Sequence, residues 1–264
     1  MPVTTGLALI GGAVAGSAAG AAMHRWPAGA TLLEPRRSSC DACGSELQVR
    51  DLVPVLSWLM LRGRCRSCGV RIDARVPLLE AASALVAITI VQVHGPTIST
   101  LVLTVGAVAV LVAGVIDVEH LIVPDRLTLP LALLALLSVP LVAGPDRAPS
   151  VVLWAIGLPM VLRLLALAAD RTGRARPVGG GDIKLLVGVL ALAGVASSGP
   201  PAVLIAAVVI AGSVAVLGLI TGRLTRRSRL PFAPPLAVAF LIVVVAPERA
   251  ADIVSIVGGQ PWSV

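Results

Sequence analysis

The sequence predicts an all-α polytopic membrane protein, with about eight transmembrane helices and a small cytoplasmic zinc-knuckle loop domain. Three observations predict it. Hydrophobic residues make up 57% of the 264 and the mean hydropathy is +0.96, beyond what a soluble domain of this length carries. Long apolar runs recur along nearly the whole chain. In lipid the backbone polar groups of such a run have to bond within it, so the runs must be helices. The period-two alternation of a membrane β-barrel is absent.

The spans fall in order at residues 4–23, 77–95, 98–116, 127–144, 150–169, 183–198, 201–221 and 231–247. They divide the chain into a first helix (1–23), a cysteine loop domain (24–76) and a seven-helix membrane domain (77–264). The first span carries Gly12, Gly16 and Gly20, four apart, which lets another helix approach its backbone closely. Packing within the bundle is the expected use, and a homo-oligomer face the alternative. The segment is not a secretory signal, because no basic residue precedes its apolar stretch and Arg25 follows it.

The formal net charge of +7 does not point to nucleic acid. Of 21 Lys and Arg residues, all but Arg147, Arg163 and Arg249 fall in alternate loops or at their edges. That bias orients a membrane protein: the basic loops face the cytoplasm and both termini face outward. Arg163 lies within a span, close enough to its end to snorkel.

All four cysteines lie in the large basic loop, as Cys40-Asp-Ala-Cys43 and Cys65-Arg-Ser-Cys68, with 21 residues between the pairs. Two C-x2-C pairs present four thiolates to one ion, and Gly44 and Gly69 suit the tight turn of a knuckle. Two disulfides are the competing reading, which a reducing cytoplasm disfavours. A Zn2+ held by four thiolates is structural, since no position stays open for catalysis.

Of the 14 acids, two stand apart. Asp117 closes the apolar run Leu101–Ile116, and Asp182 ends Gly179-Gly180-Gly181-Asp182 where a basic loop meets an apolar helix. An ionisable residue at the edge of hydrocarbon is costly and points to function. A carboxylate at a helix C-terminus also conflicts with the dipole, as Asp117 does. The three glycines permit positive φ and close backbone approach beside Asp182. Two such acids around one water share a proton and suit amide hydrolysis. Asp125, after Pro124, reads as a helix N-cap. Glu119 and His120 read as solvated interfacial groups, Lys184 as an interfacial or charge-tuning group, and Asp170 as capping the end of its span. No G-x-x-x-x-G-K-[ST] is present, so the glycines do not form a nucleotide loop.

These residues resemble, along nearly the whole chain, the bacterial type IV prepilin leader peptidases, membrane aspartic proteases with a GxGD motif. The resemblance rests on Gly16-Ser17, His24 to Pro27, Arg37 to Gly44, Val53 to Trp58, Arg62 to Cys65 and Arg75 to Glu80. Farther on it rests on Ile116-Asp117, Val123-Pro124-Asp125, Gly179 to Leu185 and Pro231-Phe232-Ala233-Pro234. It implies that Asp117 and Asp182 are the catalytic pair, cutting a short basic leader, after its terminal glycine, from type IV prepilin or pseudopilin precursors. Cleavage would occur at the cytoplasmic face of the bacterial inner membrane. It further implies N-methylation of the new N-terminus with S-adenosylmethionine, linked to the cysteine-loop region, where Glu80 is a candidate site residue beside its reading as a helix cap. Gly20 stands where the family often has Asn, Asp51-Leu52 where Glu-Asn is common, and Ala233 where Gly is usual. The first two bear on methylation rather than on the aspartates. The competing functions are a methyltransferase without peptidase activity and a non-enzymatic assembly protein that docks through the zinc loop.

Overall fold

Apolar runs become helices throughout. The structure, a computed structural model, describes residues 2–26, 29, 38–174, 176, 178–196, 199–225, 228, 230–249 and 252. Glu34, Arg37, Pro27 and the basic residues Arg226, Arg227 and Arg229 lie outside them. Among the described residues there are no strands, only the isolated bridges Ser39↔Glu46 and Arg64↔Arg71. Among them, helices long and apolar enough to cross a membrane number six: Val3–Arg25, Arg75–His94, Ile98–His120, Asp125–Val142, Ala148–Arg171 and Gly199–Ile220. The expected spans at 183–198 and 231–247 fall on shorter helices, Gly180–Val195 of 16 residues and Ala233–Val245 of 13. The chain forms two compact units, Met1–Gln92 and Val93–Val264.

In the first unit, α1 (Pro2–Arg25) leads to the cysteine loop, the short helix α2 (Leu56–Met60) and α3 (Arg75–His94). The glycine stripe of α1 packs on α3. A Cβ on Gly16 would lie 2.6 Å from the Glu80 Cα, and one on Gly12 would lie 2.7 Å from the Ser83 carbonyl. Contact inside the unit therefore accounts for the stripe. Glu80 does not cap α3. It sits in the second turn of α3, buried, and its Oε2 accepts the Val55 N–H at 2.6 Å. Val55 is the N-cap of α2 and has φ +60, so the acid serves the helix packed beside it.

In the second unit, α4 (Ile98–His120), α5 (Asp125–Val142), α6 (Ala148–Val152), a π turn (Leu153–Gly157) and α7 (Leu158–Arg171) run into α8 (Gly180–Val195), α9 (Gly199–Ile220) and α10 (Ala233–Val245). The most extensive helix–helix contact is α5 with α8, followed by α4 with α10. Small residues permit both. A Cβ on Gly188 of α8 would meet the Leu131 side chain of α5 at 2.8 Å, and Gly114 of α4 faces the Pro234 backbone of α10. The core is mostly aliphatic, with Leu103, Val110, Ile116, Leu185, Leu190 and Leu236 fully buried beside the aromatic Phe240. Large apolar side chains such as Leu133, Leu137, Leu141, Val209 and Leu217 point outward, as a bilayer solvent allows.

Candidate active site and metal centre

The pairing of α4 with α10 decides the surroundings of Asp117. This residue lies in the last turn of α4 and is 5% exposed. Its Oδ2 accepts the Ala233 N–H at 3.0 Å. Ala233 opens α10, and the next two residues, Pro234 and Pro235, have no N–H. The carboxylate therefore takes an amide that the helix would leave unpaired. It also sits at the positive end of the α10 dipole, which offsets its unfavourable place at the negative end of α4. The conflict expected from the sequence is thus resolved by a helix far along the chain. Sequence alone gives Pro231 to Pro234 a resemblance but no role. The double proline at a helix start is the signal that could have found it.

Asp182 occupies the third position of α8, after Gly179 as N-cap. It is half-buried, and its Oδ1 is buried without a hydrogen-bond partner. The carboxylate folds back toward the N-cap, so a Cβ on Gly179 would lie 2.7 Å from Oδ2. The glycines are needed for space, not for positive φ. Gly179 has φ −63, and none of the three is in the left-handed region. Gly181 lets the first turn of α8 reach the chain at Val123, where a Cβ would come within 3.0 Å of the Val123 Cβ and 3.2 Å of its N and O.

The four helix ends consequently meet: the C-terminus of α4 and the N-termini of α5, α8 and α10. Asp117 and Asp182 stand at the ends of α4 and α8, two helices in contact. Asp125 is not the N-cap of α5. Pro124 holds that position, and Asp125 is the first helical residue, paired with Lys184 of α8 at 2.5 Å. Glu119 and His120 form a loose local pair at 3.7 Å. Asp170 lies in the last turn of α7 and forks with Arg176 at 2.7 and 2.8 Å.

In the first unit, Cys40, Cys43, Cys65 and Cys68 bring their sulfurs within 4.8 Å of one another, and none is in a disulfide. Two matching turns do this. The Gly44 N–H bonds the Cys40 carbonyl at 2.8 Å and the Gly69 N–H bonds the Cys65 carbonyl at 2.9 Å, both glycines having φ +71. The Cys40–Cys68 sulfur separation is 3.9 Å, close to the edge of about 3.8 Å that Zn–S bonds of about 2.3 Å give a tetrahedron. The donor set fits a metal ion. The Cys68 and Ser67 backbone amides lower the Cys65 thiol to about 6. At Cys68 the Val70 amide favours the thiolate, but desolvation and the neighbouring sulfurs outweigh it and push the thiol up to about 11. Asp51 ties the linker to the second knuckle through Arg66, at 2.7 Å to Nη2 and 2.8 Å to Nε. That ion pair holds its carboxyl below the usual range.

The same unit holds a cavity of about 240 Å³ whose wall includes His24, Asp41, Asp51, Trp58, Arg66 and Glu80.

Comparison with known proteins agrees with this division. Residues 10–94 match the bacterial Peptidase A24 N-terminal domain and residues 104–217 match the Type IV leader peptidase family. The chain is 39% identical to the prepilin leader peptidase/N-methyltransferase of Burkholderia pseudomallei (strain 1026b) over 218 residues, 80% of this chain and 67% of the relative. It is 35% identical to that of Aeromonas hydrophila, over 79% of this chain and 70% of the relative. It is 32% identical to that of Bacillus subtilis (strain 168), over 83% and 84%. No solved structure matches. The chain belongs to the type IV leader peptidase family.

Proposed function

We propose that this chain is a prepilin leader peptidase and N-methyltransferase whose peptidase site is the pair Asp117 and Asp182. The observation that supports the reading is the contact of the helices that bear the two acids, with both acids at helix ends. They stand on helices that are not consecutive in the chain, at one end of the second unit, one held by the α10 amide and the other with a buried oxygen unpartnered.

A water between the carboxylates is the nucleophile. The ionised member of the pair removes its proton as the oxygen attacks the scissile carbonyl, and the protonated member donates to the carbonyl oxygen. Collapse of the tetrahedral intermediate breaks the C–N bond and the leaving amine takes a proton from the pair. The two acids titrate as one unit, so neither role is tied to one residue. The substrate is the leader junction of a prepilin-like precursor, and the basic bias of alternate loops supports a site at the cytoplasmic face of the inner membrane.

The four thiolates of the first unit hold Zn2+ as a structural clip for the loop. S-adenosylmethionine supplies the methyl group when bound. Asp41, Glu80 and Trp58 in the cavity wall offer the negative charge and aromatic surface that a sulfonium cation takes. The functional parts are then the first helix, the zinc loop and the seven-helix peptidase domain.

The test is co-expression of the full chain with a type IV prepilin, reading leader removal by mass spectrometry. Asp117→Asn should lower cleavage by about 10²–10⁴-fold, the usual worth of a positioned acid or base. Cleavage at the unaltered rate would overturn the assignment.

A further inference from the structure

Asp125 and Lys184 lie outside the pair, yet they join the two segments that carry it. We propose that they are positioning residues: the strap Leu121–Asp125, clamped to α8 by this ion pair, sets the register of Asp182 against Asp117. This rests on the peptidase reading and adds to it the part that fixes the geometry.

Both ends of the strap are tied. At its start Leu121 adopts the left-handed conformation, φ +53, and its N–H closes on the Asp117 carbonyl at 3.0 Å. A branched apolar residue rarely takes that conformation, so the turn holds Asp117 at a fixed distance from the strap. At its end the strap meets the first turn of α8 twice. Gly181 has no clearance for a Cβ against Val123, and Lys184 Nζ lies 2.5 Å from Asp125 Oδ1.

Gly181 and Lys184 are three residues apart and share a face of α8. Asp182 and Lys184 are two apart and do not. The ammonium therefore does not serve Asp182 directly. It holds the Gly181 face on the strap, and the rotation of that first turn dictates where the Asp182 carboxylate points. The ion pair adds a polar tie to the packing of α8 on α5 and to the glycine contact, at the turn that carries Asp182. Asp125 and Lys184 are about half exposed, 57% and 47% at the side chain. An exposed pair of this kind adds little to folding stability, but a small displacement of a catalytic group costs far more in rate. The same geometry separates Asp125 from the reacting pair, for its carboxylate is engaged and open to solvent whereas Asp117 is buried.

The experiment measures prepilin cleavage by the purified full-length enzyme, with kcat and KM resolved. Lys184→Met and Asp125→Asn should each lower kcat by about tenfold with KM within about twofold, as expected for misplacement of a reacting group. The double variant should be no slower than either single, because the two residues act through one contact. Lys184→Arg should restore most of the rate. Salt titration of the unaltered enzyme gives a readout independent of any variant's folding: kcat should fall toward the Lys184→Met value as the pair is screened. Single variants with unaltered kcat, losses that multiply in the double variant, or a kcat indifferent to salt would each overturn the proposal. Asp182→Asn serves as control. If it cleaves normally, the peptidase reading has failed, not the strap.

Discussion

Asp182 can fold its Oδ2 back over Gly179 because that residue has no side chain. A methyl group there would meet the far end of a flexible carboxylate, 2.7 Å away, and no backbone. Gly179→Ala should therefore fold with an unchanged melting temperature and cleave prepilin about 10²-fold more slowly, since the carboxylate must swing away from its working place. A melt and a cleavage assay on one preparation check this. Asp117 and Asp182 stand out in the sequence because charge at the edge of hydrocarbon is conspicuous. Their amide partner does not. Ala233 is chemically silent, and only the fold brings its N–H to a residue 116 positions earlier. Asp125 misleads for a related reason. A lone acid after proline looks like a cap, and nothing local announces that Lys184 arrives from another helix.

At the scale of elements, the glycine stripe of α1 gives a sharper expectation. Gly16→Leu forces a side chain into the α3 backbone, 2.6 Å from the Glu80 Cα. It should lower stability by about 1–3 kcal/mol, the usual cost of overpacking. Gly11→Leu, where no other atom lies within 4 Å, should change little. Thermal melts of the solubilised full chain compare the two. The knuckles are legible for a physical reason: C-x2-C followed by glycine fixes a local turn, so spacing alone carries the geometry. The structure adds their protonation. Backbone amides lower Cys65 to about 6 and the crowded sulfurs raise Cys68 to about 11, so the cluster already carries thiolate character near neutral pH. Zinc uptake by the metal-free protein near neutral pH should therefore release fewer protons than the number of thiolates it engages. Calorimetry in buffers of different ionisation enthalpy counts them. Equality with the thiolate number would contradict the assignment.

At the scale of the whole molecule, hydropathy alone locates the helices, and the runs at 183–198 and 231–247 prove to be the shorter ones. Both carry the site at an end, α8 through Asp182 and α10 through the amide that holds Asp117.

The central claim is that the two carboxylates act as one unit. Cleavage rates of Asp117→Asn, Asp182→Asn and the double variant, measured on purified full-length enzyme with one prepilin substrate, test it most directly. We expect each single change to remove nearly all the rate and the double to remove no more, because losses within one catalytic unit do not add. Either single variant cleaving like the unaltered enzyme, or two partial losses that multiply in the double, would contradict it.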